Sequence, residues 1–155
     1  MPGASKVARD TVLVVGASGS LGIPIVAELL RRGHKTRLLG RSKESFARAG
    51  YIGSQDSVVD IVICNDVTDP ASFLDCWFAD VSCVICVARP RSLKEGDAMS
   101  YRPMVENLCR SAIRAKVPRI LIHGLPYLED NMTGDSPTMM ILRKTEDRAR
   151  ELFES

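Results

Sequence analysis

A glycine-rich turn between an apolar strand and an amphipathic helix constrains this chain more than any other feature. A strand is predicted over 11–15, a helix over 21–32, and the turn between them has the spacing G-x-x-G-x-x-G. Glycines let the backbone approach a phosphate, and a helix N-terminus offers free N–H groups and a positive dipole end. This context favours a phosphate-binding loop over a purely structural turn. The expected cofactor contacts are Gly16, Ser18, Gly19, Ser20, Leu21 and Gly22.

Strand-like and helix-like segments alternate along the whole chain. Strands are predicted over 11–15, 36–40, 58–64, 81–87 and 118–123, and helices over 21–32, 43–49, 70–78, 102–115 and 138–154. Such alternation indicates right-handed crossovers and a parallel sheet covered on both faces. We therefore predict an α/β doubly wound (Rossmann-like) domain over 1–155, with strand order 3-2-1-4-5. Its ligand crevice should lie at the carboxyl ends of strands 1 and 4.

Composition narrows the functional classes. The 155 residues carry a formal net charge of +2 with basic and acidic residues interspersed, which argues against a nucleic-acid or membrane surface. Cys83 and Cys86 match C-x-x-C, but residues three apart on a strand point to opposite faces. We therefore expect buried, reduced cysteines, no metal site and a reducing compartment.

The residues that follow strand 2 bear on which nicotinamide dinucleotide would bind. An acidic residue at this position holds the ribose 2′-hydroxyl of NAD(H), whereas arginine accommodates the 2′-phosphate of NADP(H). Here the chain reads Arg41-Ser42-Lys43, with two cations and no acid. NADP(H) is therefore favoured over NAD(H), with Arg41, Ser42 and Lys43 as contacts; the alternative is that both cations are solvated loop charges.

Two further strand ends supply candidate contacts. Asp66 and Val67 follow strand 3 and offer a carboxylate and a backbone N–H to the adenine edge. The alternative is that Asp66 caps a helix that begins near Asp69. Ala88 follows strand 4, where a small side chain allows the ribose and nicotinamide side to approach.

With these residues in place, the chain resembles the NmrA-like, atypical branch of the short-chain dehydrogenase/reductases. The resemblance rests on Val12 to Gly22, Arg37 to Ser42, Asp66-Val67-Thr68-Asp69, Asn107 to Ala112 and Lys116-Val117-Pro118-Arg119. It implies a Rossmann fold, a bound dinucleotide and either reductase chemistry or cofactor sensing.

Active members of the wider family use a Tyr-x-x-x-Lys pair and a serine after strand 5. Lys144 resembles that lysine and would contact the nicotinamide ribose, but Met140 stands where the tyrosine is expected. His123 is a candidate replacement acid, and Tyr127 a weaker one. The alternatives are a hydrogen-bonded histidine at the strand end and an exposed helical lysine.

The family pattern also continues into a C-terminal substrate region that is absent from these residues, so 1–155 is expected to be either the N-terminal part of a longer chain or a domain without that region. We expect an NADP(H)-binding, non-catalytic module that acts as an accessory subunit or redox sensor. The alternatives are an NADPH-dependent reductase with non-standard catalytic residues, or a scaffold that has lost its cofactor.

Strand 5 should form an apolar outer edge, which predicts a protein partner or a second copy there. The expected location is the cytoplasm or, on resemblance, an organelle such as the plastid or mitochondrion.

Overall fold

The computed structural model describes residues 8–52, 59–89, 95–123 and 137–155. The elements are β1 (Thr11–Val15), α1 (Gly22–Arg31), β2 (Lys35–Gly40), α2 (Lys43–Arg48), β3 (Val59–Ile63), β4 (Val81–Cys86), α3 (Glu95–Arg114), β5 (Ile120–Ile122) and α4 (Pro137–Glu154).

The five strands form one parallel sheet in the order β3-β2-β1-β4-β5, which confirms the predicted doubly wound topology. β1 is the central strand, and all five of its residues are buried. Burial on both faces explains why its sequence is a continuous apolar run rather than an alternating one.

Two apolar layers cover the sheet because successive side chains of a strand point to opposite faces. Val12 and Val14 face a layer that includes Val26 of α1 and Phe46 of α2. The opposite layer receives Leu13 and Val15 of β1 and packs against α3 and α4. None of the helices in the described ranges is both long and apolar enough to cross a membrane.

The helix predicted over 70–78 is wrong. The chain forms two single 3-10 turns, Pro70–Ser72 and Asp75–Trp77, separated by extended backbone at Phe73. The Asp69 carboxylate accepts a hydrogen bond from the Ala71 N–H and so starts the first turn. The extended backbone ends it after one turn, and Phe73 and Phe78 are both buried in the core.

The other boundaries shift by smaller amounts, except at α3. That helix begins at Glu95, seven residues before the predicted start at 102. The polar stretch before Tyr101 lacks the apolar period from which a helix was predicted, and Pro103 lies within the helix rather than near its start.

β5 is shorter than the predicted 118–123 and lies at the outer edge of the described sheet. Ile120 and Ile122 are half-buried, whereas Leu121 between them is 52% exposed. The described elements therefore cover one face of β5 and not both, contrary to what its apolar sequence predicted.

Candidate functional site

A cleft of about 510 Å³ opens at the carboxyl ends of β1, β2 and β4. Its described lining comprises Val15, Gly16, Ala17, Ser18, Gly19, Ser20, Leu21, Leu39, Gly40, Arg41, Ser42, Ser45, Phe46, Arg48, Val67, Val87, Ala88, Arg89 and Met104. The order of strands in the sheet reverses at β1, so the cleft lies where ligands of doubly wound folds bind.

The loop after β1 can take its shape only with glycine at two positions. Gly16 has a φ of +89°, and a Cβ there would lie 2.5 Å from the backbone nitrogen of Ala88. Gly22 is not among the described lining residues, and a Cβ there would overlap the carbonyl oxygen of Gly16. The loop is thus folded back against both the end of β4 and the start of α1.

The N-terminus of α1 is open to an anion. Leu21 occupies the N-cap position, no side chain accepts a hydrogen bond from the helix there, and the first turn contains no acidic residue. The helix dipole favours negative charge at this end. Among the first N–H groups, however, that of Ile23 already donates to the Gly19 carbonyl at 3.1 Å, and Pro24 has none. Ser18 and Ser20 on the loop are exposed and add hydroxyl groups.

The β2–α2 side of the cleft is basic. Arg41 and Arg48 both line it, and with Arg89 they are the three charged residues among the described lining residues, none of which is acidic. Lys43, which the sequence placed beside Arg41, is exposed and does not line the cleft. Ser42 lines the cleft and is also the N-cap of α2, since its hydroxyl accepts a hydrogen bond from the Ser45 N–H at 3.3 Å.

Val67 lines the cleft and Asp66 does not. The Asp66 carboxylate accepts hydrogen bonds from the hydroxyl of Thr68 at 2.6 Å and from its N–H at 2.9 Å, and these bonds hold the pKa of Asp66 below its usual value. Buried Asn107 donates to the Val67 carbonyl at 3.0 Å and fixes that backbone. The alternative that Asp66 caps a helix is wrong, since Asp69 caps the 3-10 turn; the adenine contact of Asp66 stays a prediction.

Ala88 and Arg89 bring the end of β4 to the cleft, and His123 follows β5 beside them. The His123 N–H donates to the Cys86 carbonyl at 2.9 Å, which continues the β4–β5 ladder. A guanidinium N–H of Arg89 is in hydrogen-bond contact with Nε2 of His123. Since arginine can only donate, Nε2 of His123 is the acceptor in this contact.

The residues that resemble the family's catalytic pair lie on α4, away from the cleft lining. Lys144 is exposed, and Met140 is 50% exposed. Tyr127 lies outside the described residues.

Neither described tyrosine has the environment of a catalytic one. Tyr51 donates its hydroxyl to the Ala17 carbonyl at 2.8 Å, and burial raises its pKa. Tyr101 is buried on α3, and burial raises its pKa as well. A family-type proton donor needs a lowered tyrosine pKa, so both shifts have the opposite direction.

All five cysteines are free thiols. Within the C-x-x-C pair, Cys86 is fully buried and Cys83 only half-buried, so the expectation of burial is confirmed for one of the two. Burial raises the pKa of the Cys86 thiol to about 11, which keeps it protonated and unreactive at neutral pH.

Sequence reasoning missed Ser45 and Arg48, which α2 contributes to the cleft. Their spacing of three residues on a predicted helix places them on one face, and this was the available signal. It did not reveal that this face turns toward the cleft, because that orientation depends on how α2 packs on the sheet.

Known proteins are similar to this chain in sequence and in fold. Two chloroplastic divinyl chlorophyllide a 8-vinyl-reductases match: the maize (Zea mays) protein is 43% identical over 70 residues, and the rice (Oryza sativa subsp. indica) protein is 33% identical over 112 residues. These matches cover 43% and 64% of this chain but only 17% and 26% of the relatives.

Two solved structures show the same fold at low sequence identity. Yeast methylglyoxal/isovaleraldehyde reductase complexed with NADPH matches with a TM-score of 0.76 and 18% identity, over 93% of this chain and 53% of that one. A short-chain dehydrogenase/reductase superfamily protein of Agrobacterium tumefaciens with bound NAD matches with a TM-score of 0.68 and 21% identity, over 91% of this chain and 44% of that one. The chain thus spans about half the length of these structures.

The match to a family model settles which family this is. The model of the NmrA-like family aligns with residues 8–145, from just before β1 into α4. The alignment includes the three strand ends at the cleft: the glycine loop after β1, the basic end of β2 and the end of β4. The chain belongs to the NmrA-like family.

Proposed function

We propose that this chain binds NADP(H) in the cleft and, without further sequence or a partner, does not transfer hydride. The observation that carries the binding proposal is a basic cleft, free of acidic side chains in its described lining, over a glycine loop at an open helix N-terminus. The pyrophosphate would lie on the loop from Gly16 to Leu21, and glycine at 16 lets that loop pack against the end of β4, where a Cβ would lie 2.5 Å from the Ala88 nitrogen. The bound dinucleotide would supply the hydride of any reduction.

NADP(H) is preferred in this proposal because of the β2 end. Arg41 lines the cleft at the position where NAD(H)-specific folds carry an acid for the ribose 2′-hydroxyl. A guanidinium forms two parallel hydrogen bonds with a phosphate, and a charge-assisted bond contributes about 1.5–3 kcal/mol. The 2′-phosphate should therefore increase affinity by about tenfold or more.

Calorimetric titration with NADPH and NADH tests this proposal on the wild type and on Arg41→Ala. We expect tighter NADPH binding in the wild type and a preference for NADPH that is severalfold smaller in the variant. Equal affinities in the wild type would refute the NADP(H) preference, and absence of binding to either dinucleotide would refute the cofactor site itself.

The lack of hydride transfer is proposed from the surroundings of the candidate proton donors. Met140 has no transferable proton, Lys144 lies outside the cleft lining, and the Nε2 atom of His123 accepts from Arg89. Positioned acid–base groups typically contribute about 10²–10⁴ to a rate. The module would then serve as an accessory subunit or as a sensor of the NADPH/NADP⁺ ratio.

The alternative is an NADPH-dependent reductase that uses non-standard catalytic residues. The two curated relatives, both named as divinyl chlorophyllide a 8-vinyl-reductases, favour it. NADPH oxidation in the presence of divinyl chlorophyllide a distinguishes the two proposals. Turnover that is lost in His123→Ala would establish the reductase and make His123 its proton donor.

A protein partner at the edge of β5 completes the proposal. Leu121 is 52% exposed there, and Phe153 of α4 is 37% exposed beside the groove that runs along this edge. Sedimentation at high concentration should show association, and a stable monomer of 17.0 kDa would contradict it.

We also propose a plastid location, because both curated relatives are named as chloroplastic. Immunodetection of the natural protein in purified plastids tests the location.

A further inference from the structure

We propose that Arg48, at the end of α2, is the second cation that recognises the 2′-phosphate of the dinucleotide, and that Lys43 is not. This inference rests on the proposed NADP(H) site and identifies which residue of α2 sets its specificity. Arg41 and Arg48 would then enclose the phosphate from the end of β2 and from the helix that follows.

The helical phase of α2 separates the two candidate cations. Ser45 and Arg48 are three positions apart, so they share a face, and both line the cleft. Lys43 and Arg48 are five positions apart, which at 3.6 residues per turn places them about 140° apart around the helix axis. Both side chains are exposed, but Lys43 is accordingly absent from the lining, whereas Arg48 is part of it.

The rotation of α2 about its axis is fixed by its contacts. Phe46 is 1% exposed and packs in the same apolar layer as Val14 and Leu38. Tyr51 packs edge-on against Phe46 with ring centroids 6.2 Å apart, and its N–H donates to the Phe46 carbonyl at 3.0 Å. The Tyr51 hydroxyl donates to Ala17 of the glycine loop. The end of α2 is thus tied to the phosphate-binding loop, with the Ser45–Arg48 face turned toward the cleft.

The two guanidinium groups are available for a ligand. Within the described ranges, the ion pairs that the structure contains do not involve Arg41 or Arg48. By contrast, Arg31 at the end of α1 and Arg32 just after it both pair with Glu28. A dianionic phosphate has enough acceptor oxygens for two guanidinium groups, and arginine is the side chain best shaped to bind it in this way.

Binding of two nucleotide fragments tests the assignment without any catalytic readout. Adenosine 2′,5′-bisphosphate carries the 2′-phosphate, whereas ADP lacks it. Arg48→Ala should weaken binding of the bisphosphate about five- to tenfold and change ADP binding less than twofold. Lys43→Ala is the matched control, since it removes one exposed charge from the same helix, and it should change neither by more than twofold.

Each outcome separates this inference from the cofactor proposal. If Lys43→Ala weakens bisphosphate binding as much as Arg48→Ala does, or if Arg48→Ala weakens ADP equally, Arg48 is not the specificity residue, although NADP(H) binding still stands. If the wild type binds no NADPH, the proposed function fails and this inference fails with it. Arg48→Gln, which retains length and polarity, should reproduce the alanine result, and unchanged urea midpoints for the variants would exclude loss of folding as the cause.

Discussion

The backbone around Gly16 offers a sharp test of how the cleft is built. In Gly16→Ala the new residue keeps a φ of +89°, and its Cβ would lie 2.5 Å from the Ala88 nitrogen and 2.8 Å from its Cα. The left-handed backbone costs about 1–2 kcal/mol for a residue with a Cβ, and overpacking against backbone adds about 1–3 kcal/mol. The loss of unfolded-state entropy offsets about 0.4–1 kcal/mol, so the net destabilisation should be about 1–4.5 kcal/mol.

Gly33→Ala is the control that isolates the contribution of φ. Gly33 also has a positive φ, of +78°, but nothing lies within 4 Å of the point that a Cβ would occupy there. Its substitution should therefore cost about 1 kcal/mol or less. Urea unfolding with a slope of about 1–3 kcal/mol/M would resolve this difference as a separation of midpoints of about 1 M. Equal midpoints for the two variants would show that the end of β4 can move to accommodate a Cβ at position 16 at little cost, and that close packing there does not require glycine.

Two other substitutions test contacts that stabilise the fold outside the cleft. Asp80 accepts two hydrogen bonds from Arg37, which hold the pKa of Asp80 below its value in the unfolded chain. The contribution of Asp80 to folding stability is therefore complete above the unfolded pKa and is lost as the pH falls through the lower folded pKa. Asp80→Asn should therefore cost about 1–2 kcal/mol at pH 7 and progressively less below about pH 4, measured by urea unfolding at each pH; a pH-independent difference would contradict the assignment. Lys116 ends α3 with a φ of 58°, so Lys116→Gly should stabilise the protein by about 0.5–1 kcal/mol in thermal unfolding, and a lowered melting temperature would refute this.

The fold was predictable from the sequence because its signals are local and repeated. β1 is an apolar run followed by a glycine loop, and the alternation of strands with helices leaves few topologies for a parallel sheet. The helix predicted over 70–78 was wrong because its apolar residues also suit two single 3-10 turns. Phe73 is buried from the extended backbone between the turns, and Phe78 from the residue that ends the second turn. There the capping carboxylate of Asp69 and the packing of Phe73 determine the structure. The spacing of apolar residues along the sequence does not show that these two contacts outweigh a continuous helix.

The site was predictable where a residue's position follows from its strand. Gly16, Arg41 and Ala88 each follow a strand end, and the topology brings strand ends together. Arg48 was missed, and Lys43 lies outside the lining, because both are on α2, where the lining depends on the rotation of a short helix. That rotation is set by Phe46 and by contacts of Tyr51 with a loop that is distant in sequence.

The distribution of these groups explains how binding and chemistry could separate in one domain. The groups proposed to hold the cofactor lie mainly on the β1–α1 loop and the β2–α2 connection, which pack on one face of the sheet. The positions that the family resemblance associates with proton transfer follow β5 or lie on α4, which packs with α3 on the other face. Methionine at 140 would therefore remove a proton donor without removing any of the groups on the β1–α1 loop and the β2–α2 connection that are proposed to hold the cofactor. A domain of this kind can in that way keep its dinucleotide without keeping its reaction.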